Sequence, residues 1–129
     1  MALEFNHFGI KCTAFQETIK FYTEVLGLEK LYELEVLGKK CIFVGNDTIE
    51  IELEDAGASV PSPPMPPAAG LTHFAFMVKD IEKLADELKG RGAQFMIPPF
   101  NIRPTRKIAF IKAPDSVLIQ LIEDFPEAG

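Results

Sequence analysis

The chain carries only two histidines, His7 in "FNHFGIKC" and His73 in "LTHFAFMV", each the third residue of a strand-like apolar run. A single imidazole on a strand is ordinarily a hydrogen-bonded core or surface residue. Two in matching contexts make a shared task the simpler reading, and neutral imidazoles are common metal ligands. Two further segments carry oxygen donors. In "TIEIELED" alternation puts Ile49, Ile51 and Leu53 on one face and Glu50, Glu52 and Glu54 on the other, a pattern that a merely solvated face would also give. In "VLIQLIED" Gln120 is the strong polar group on the face it shares with Leu118 and Ile122, where an amide requires a partner. Two imidazoles, a carboxylate and an amide oxygen meeting from four strands would suit a divalent cation with mixed nitrogen and oxygen ligation.

Periodicity indicates the elements that must position these groups. A strand at about residues 5–12 leads into a helix from Ala14 to Leu26, with Phe15, Ile19, Tyr22 and Leu26 on one face. Thr13 and Gln16 form a capping-box pattern, and Gly27 provides a left-handed stop. Three strands follow in "LEKLYELEV", "KKCIFVG" and "TIEIELE". After a Pro-rich linker at 58–70 the same order returns. "LTHFAFMV" reads as a strand, Asp80 caps a helix bearing Ile81, Leu84, Ala85 and Leu88, and "AQFMIPPF", "RKIAFIKA" and "VLIQLIED" supply three more strands. His7 and His73 are 66 positions apart, Phe43 and Phe110 are 67, and Gly27 and Gly92 are 65, so the chain is an internal duplication. The modules span residues 1–57 and 71–129 of a single domain.

One helix covers only one face of a four-stranded sheet. Two such modules can curve their uncovered faces around a shared interior and leave a cleft. Strand parity sends Phe8 and Ile10, and likewise Phe74, Phe76 and Val78, to the helix side, and so directs His7 and His73 into that cleft. Lys11 shares the parity of His7, although a lysine at a strand end also snorkels to water.

Bulk properties exclude several classes. With 129 residues, 47% hydrophobic and 25% charged, the chain is ordinary for a soluble globular domain. No apolar run nears the roughly 18 residues of a membrane span, and "MALEFNHFGI" lacks the features of a secretory signal, so the expected location is cytoplasmic. A net charge of -6 provides no footprint for nucleic acid. Cys12 and Cys41 read as small buried hydrophobes. In "RPTRK", Arg103, Arg106 and Lys107 could attract an anionic substrate such as a thiol conjugate, or form a solvated hairpin loop.

"HFGIKCTAFQETIKFYTEVLGL", a histidine-led strand, a helix ending in Phe-Tyr and then Leu-Gly-Leu, resembles the opening motif of the glyoxalase I, bleomycin resistance and extradiol dioxygenase superfamily, the vicinal oxygen chelate superfamily. "THFAFMVKDIE" and "IAFIKAPDSVLIQLIED" resemble its second-half motifs. The resemblance implies an α+β fold of two tandem βαβββ modules forming a curved open eight-stranded barrel, frequently a homodimer. It further implies one divalent metal ion (Ni, Co, Zn, Mn or Fe) held by one residue from each of the first, fourth, fifth and eighth strands. Those ligands fall on His7, Glu52, His73 and Gln120, with Glu50 open as an alternative on the fourth strand. Gln120 departs from the glutamate usual in lyase and epimerase relatives, which leaves Glu52 as the expected catalytic base of a one-base proton transfer. The implied function is a glyoxalase-type lyase or isomerase acting on a small oxygenated or thioester-linked substrate through a metal-chelated enediolate. Alternatives are a non-catalytic small-molecule binder or drug-resistance protein, and a ferrous ring-cleaving dioxygenase. Against the dioxygenase, its carboxylate ligand normally lies on the eighth strand.

Overall fold

The computed structural model describes residues 2–65 and 68–127. Its contacts divide the chain into two units, 1–62 and 63–129. The first contains β1 (Phe8–Cys12), α1 (Phe15–Lys20), β2 (Glu29–Val36), β3 (Lys39–Gly45) and β4 (Glu50–Asp55). The second repeats this order with β5 (His73–Met77), α2 (Ile81–Gly90), β6 (Gln94–Arg103), β7 (Arg106–Lys112) and β8 (Leu118–Asp124). The fold is α+β, two βαβββ modules, with the strands hydrogen-bonded as two four-stranded sheets ordered β1-β4-β3-β2 and β5-β8-β7-β6. In each, the first and fourth strands pair in parallel and the other pairings are antiparallel.

Each core follows from strand parity. In the first unit Cys12, Ile42, Val44, Ile51 and Leu53 bury one sheet face with Phe15, Thr18 and Tyr22 of the helical segment. In the second, Ala109, Ile111, Ile119 and Leu121 do so with Ile81, Ala85 and Leu88 of α2. Both cysteines are buried as small hydrophobes, with no disulfide between them, and burial pushes the Cys41 thiol up.

Local details differ from the sequence expectations. β1 starts at Phe8, so His7 stands at the mouth of the strand rather than inside it. The expected helix to Leu26 is α-helical only to Lys20 and then π-helical over Phe21–Val25, before Gly27 stops it at φ 77°. Thr13 is not the N-cap residue of α1. Ala14 occupies the N-cap, and its carbonyl accepts the Thr18 backbone N–H and the Thr18 hydroxyl, both at 2.9 Å. Nor does the Asp80 side chain cap α2. Asp80 sits in the left-handed region at φ 52°, and its backbone N–H and that of Ile81 donate instead to Glu123 of β8 at 3.0 and 2.9 Å. A carboxylate already anchored on the sheet neutralises those orphan donors and complements the helix dipole. β6 accommodates Pro98 and Pro99 because it is an edge strand, and its register shifts between Ile97 and Phe100.

Candidate functional site

The sheet face opposite α1 carries the chemistry of the first unit. Parallel pairing sets Gly9 beside Glu52, and antiparallel pairing sets Phe43 beside Glu52 and Tyr32 beside Phe43. His7, two residues ahead of Gly9, projects to the same face, where its Nε2 stands 4.0 Å from Glu52 Oε1. A β-carbon at Gly9 would lie 3.3 Å from that oxygen, so the bare glycine leaves the carboxylate its place beside the imidazole.

The ring of His7 meets Phe43 edge-on at 5.2 Å, and Phe43 in turn stacks on Tyr32 at 4.5 Å. Tyr32 donates its phenol hydrogen to Glu50 Oε1 at 2.8 Å, a bond that pushes the phenol up from its ordinary value. Glu50 is thereby tethered to Tyr32, while Glu52 faces His7. Asn6 Oδ1 lies 2.6 Å from His7 Nδ1. An Nδ1–H would donate to that amide oxygen, and Nε2 is the ring nitrogen that faces Glu52.

The second unit reproduces this arrangement. His73 lies on the face opposite α2, its ring edge-on to Phe110 at 5.4 Å and its Nδ1 2.8 Å from the Thr72 hydroxyl. Gln120 is in register with Ala75 and with Phe110, as Glu52 is with Gly9 and with Phe43. Gln120 is therefore the counterpart of Glu52, not of Glu50. Among the described residues, no group of three or more His, Cys, Asp or Glu is gathered to hold an ion. What the structure brings together is the His7–Glu52 pair; His73 and Gln120 form the equivalent pair of positions on the second sheet.

Three of the cationic candidates, Lys11, Arg106 and Lys107, are engaged with carboxylates. Lys11 Nζ is 3.7 Å from Glu54 Oε2. Arg106 grips Asp124 through two hydrogen bonds of 2.6 and 2.9 Å, which holds the Asp124 carboxyl below the usual carboxylate range, and Lys107 donates to Glu82 at 3.1 Å. These are the contacts of a charged hairpin, not of an open anion site. Sequence reasoning missed Asn6, Gly9, Tyr32 and Phe43. Two of these left a signal: Gly9 is a glycine inside a strand pattern two residues after a histidine, and Phe43 is a landmark of the repeat, matched by Phe110.

A spacing of 4.0 Å fits joint ligation, since two ligands each ~2.1 Å from one ion stand at most ~4.2 Å apart. The nitrogen, carboxylate and amide donors suit a borderline divalent cation. A duplicated βαβββ chain with one histidine at each module's entrance and an oxygen donor on each module's last strand defines a class of paired-module proteins. The chain belongs to the Glyoxalase/Bleomycin resistance protein/Dioxygenase superfamily, whose family model matches residues 4–121.

It is 27% identical to lactoylglutathione lyase GLX1 of Arabidopsis thaliana over 131 aligned positions, covering 95% of this chain but 44% of that longer protein. A solved glyoxalase family protein from Enterococcus faecalis is 29% identical with a TM-score of 0.78, covering 93% of this chain and 97% of that one. At the level of fold alone, the chain matches a mutant fosfomycin resistance protein from Listeria monocytogenes complexed with Mn(II), at 14% identity and a TM-score of 0.76 over 97% of this chain and 95% of that one.

Proposed function

We propose that the protein is a metal-dependent lyase or isomerase of the glyoxalase type, moving a proton on a carbon next to a carbonyl in a small oxygenated or thioester-linked substrate. The observation that carries this reading is the His7 Nε2–Glu52 Oε1 pair, with its register-equivalent positions at His73 and Gln120. His7, Glu52, His73 and Gln120 would hold one divalent ion. When bound, the ion supplies positive charge for the oxygen that becomes negative as the neighbouring carbon loses its proton.

The chain's own residues have distinct tasks. Asn6 orients His7, Phe43 sets the tilt of its ring, and the hydrogen at Gly9 leaves Glu52 free to approach. Gln120 has no useful basicity, so Glu52 is the group that takes the proton and returns it, in a one-base transfer. The similarity to lactoylglutathione lyases supports the lyase reading, although this chain spans less than half the length of the one from Arabidopsis.

One observation favours the second reading, a non-catalytic binder: His7 and Glu52 have no third His, Cys, Asp or Glu gathered with them among the described residues. The test uses untagged full-length chain supplied with manganese, nickel, cobalt or zinc in deuterium oxide, following exchange of the α-proton of S-lactoylglutathione and of dihydroxyacetone by NMR. Metal-dependent exchange of either probe is expected. Less than about a tenth of an equivalent of retained metal with no exchange, with metals of this class normally held by such donors, would assign the chain to the binders.

A further inference from the structure

A cavity of about 380 Å³ opens beside this face, lined among others by Phe5, Asn6, Leu31, Asp47, Thr48 and Glu50. It shares Asn6 and Glu50 with the site. Asn6 holds His7, and Glu50 is on the same face of β4 as Glu52, one pleat away. The volume falls within the range of small-molecule pockets and, at ~30 Å³ per water-sized group, has room for roughly a dozen of them.

Its floor is already set. Asn46 Oδ1 accepts the Thr48 N–H at 2.8 Å, the Thr48 hydroxyl at 2.9 Å and the Ile49 N–H at 3.2 Å, so this turn is closed on itself. Glu50 Oε1 takes the Tyr32 phenol, while its second oxygen and the Asp47 carboxylate engage no cation among the described residues. No lysine or arginine lines the cavity. In the basic hairpin of the second unit, Arg106 and Lys107 are paired with Asp124 and Glu82.

We propose that this cavity receives the part of the substrate remote from the reacting carbon, and that this part is small, uncharged or cationic, and rich in hydrogen-bond donors, as in a polyol or an amine. Glu50, braced by Tyr32, and Asp47 are its specificity-determining residues. They accept from hydroxyl or ammonium groups and repel carboxylates and phosphates. The proposal names the substrate class for the proton-transfer reading and rests on that reading. It sets this chain apart from a protein built for an anionic thiol conjugate.

A matched pair of probes tests it: dihydroxyacetone and its phosphate differ only in the anionic group. With metal-supplied full-length chain, α-proton exchange and binding by calorimetry are measured for both probes, in wild type and in a Glu50→Gln, Asp47→Asn double variant. The amide at Glu50→Gln keeps an oxygen for Tyr32, so the fold is retained. Wild type is expected to favour the neutral probe at least tenfold in both readouts, and the double variant to cut that preference at least threefold. Equal or better handling of the phosphate by wild type, or an unchanged ratio in the variant, overturns the proposal while leaving the proton-transfer reading intact. Discrimination in binding without exchange of either probe supports the cavity's role and overturns the enzymatic reading instead.

Discussion

Replacing Phe43 by leucine tests how the histidine is held. Phe43 is 4% exposed and touches two rings, His7 edge-on at 5.2 Å and Tyr32 in a stack at 4.5 Å. Leucine keeps an apolar branched side chain at the site, so the main loss is those two ring contacts, at ~0.5–1.5 kcal/mol each, or about 1–3 kcal/mol in all. The matching substitution in the second unit, Phe110→Leu, removes one ring contact, to His73 at 5.4 Å, and should cost about 0.5–1.5 kcal/mol. Urea denaturation of wild type and both variants, with slopes compared to check that the unfolding reaction is the same, measures each cost directly. The Phe43 variant should also bind a divalent cation about three- to tenfold more weakly, because the orientation of a ligating imidazole is set by its surroundings. Equal costs for the two substitutions, or a greater one for Phe110→Leu, would refute the idea that a Tyr32–Phe43–His7 stack braces the first module.

Three further perturbations test other parts of the account. Glu123→Gln weakens the two bonds to the Asp80 and Ile81 amides and should destabilise the chain by ~1 kcal/mol, with faster amide exchange confined to the first turn of α2. Gly45→Ala drives a β-carbon into the Ile49 carbonyl oxygen, forcing apart the turn that leads into β4, and should cost roughly 2 kcal/mol or more by chemical denaturation. Because Arg106 lowers the Asp124 carboxyl, the pair's contribution is fully present above the unfolded aspartate value of ~3.9 and fades as pH falls through the lower folded value. Melting temperatures measured from pH 6 down to about 2.5 should therefore fall more steeply below about pH 4 in wild type than in Arg106→Gln; parallel curves would contradict that.

The period-two alternation made most of this arrangement legible. The residues between Ile49 and Glu54 allow only one division between faces, so the sides occupied by Ile51 and Glu52 follow once the helix side is known. Ile119, Gln120 and Leu121 divide in the same way, and the constant offset between the histidines revealed the duplication. What stayed hidden depended on residues far apart in sequence. Asp80 is a good N-cap type, yet its left-handed backbone leaves its side chain without a cap bond, and Glu123, 43 positions later, reaches the Asp80 and Ile81 amides from a strand instead. Thr13 and Gln16 match a capping pattern, but the helix takes Ala14 as its N-cap, one residue later. The separation of Glu50 from Glu52 was invisible for a similar reason. Both share a face, and only the reach of Tyr32 across Phe43 ties up the first and leaves the second beside His7.

The proposal that His7, Glu52, His73 and Gln120 hold one ion is tested most directly by calorimetric titration of the chain with Mn(II). Wild type should bind one equivalent, and His7→Ala and His73→Ala should each weaken that single event by more than tenfold. Binding that His73→Ala leaves untouched while His7→Ala abolishes it, or a stoichiometry of two with one site lost in each variant, would contradict the account.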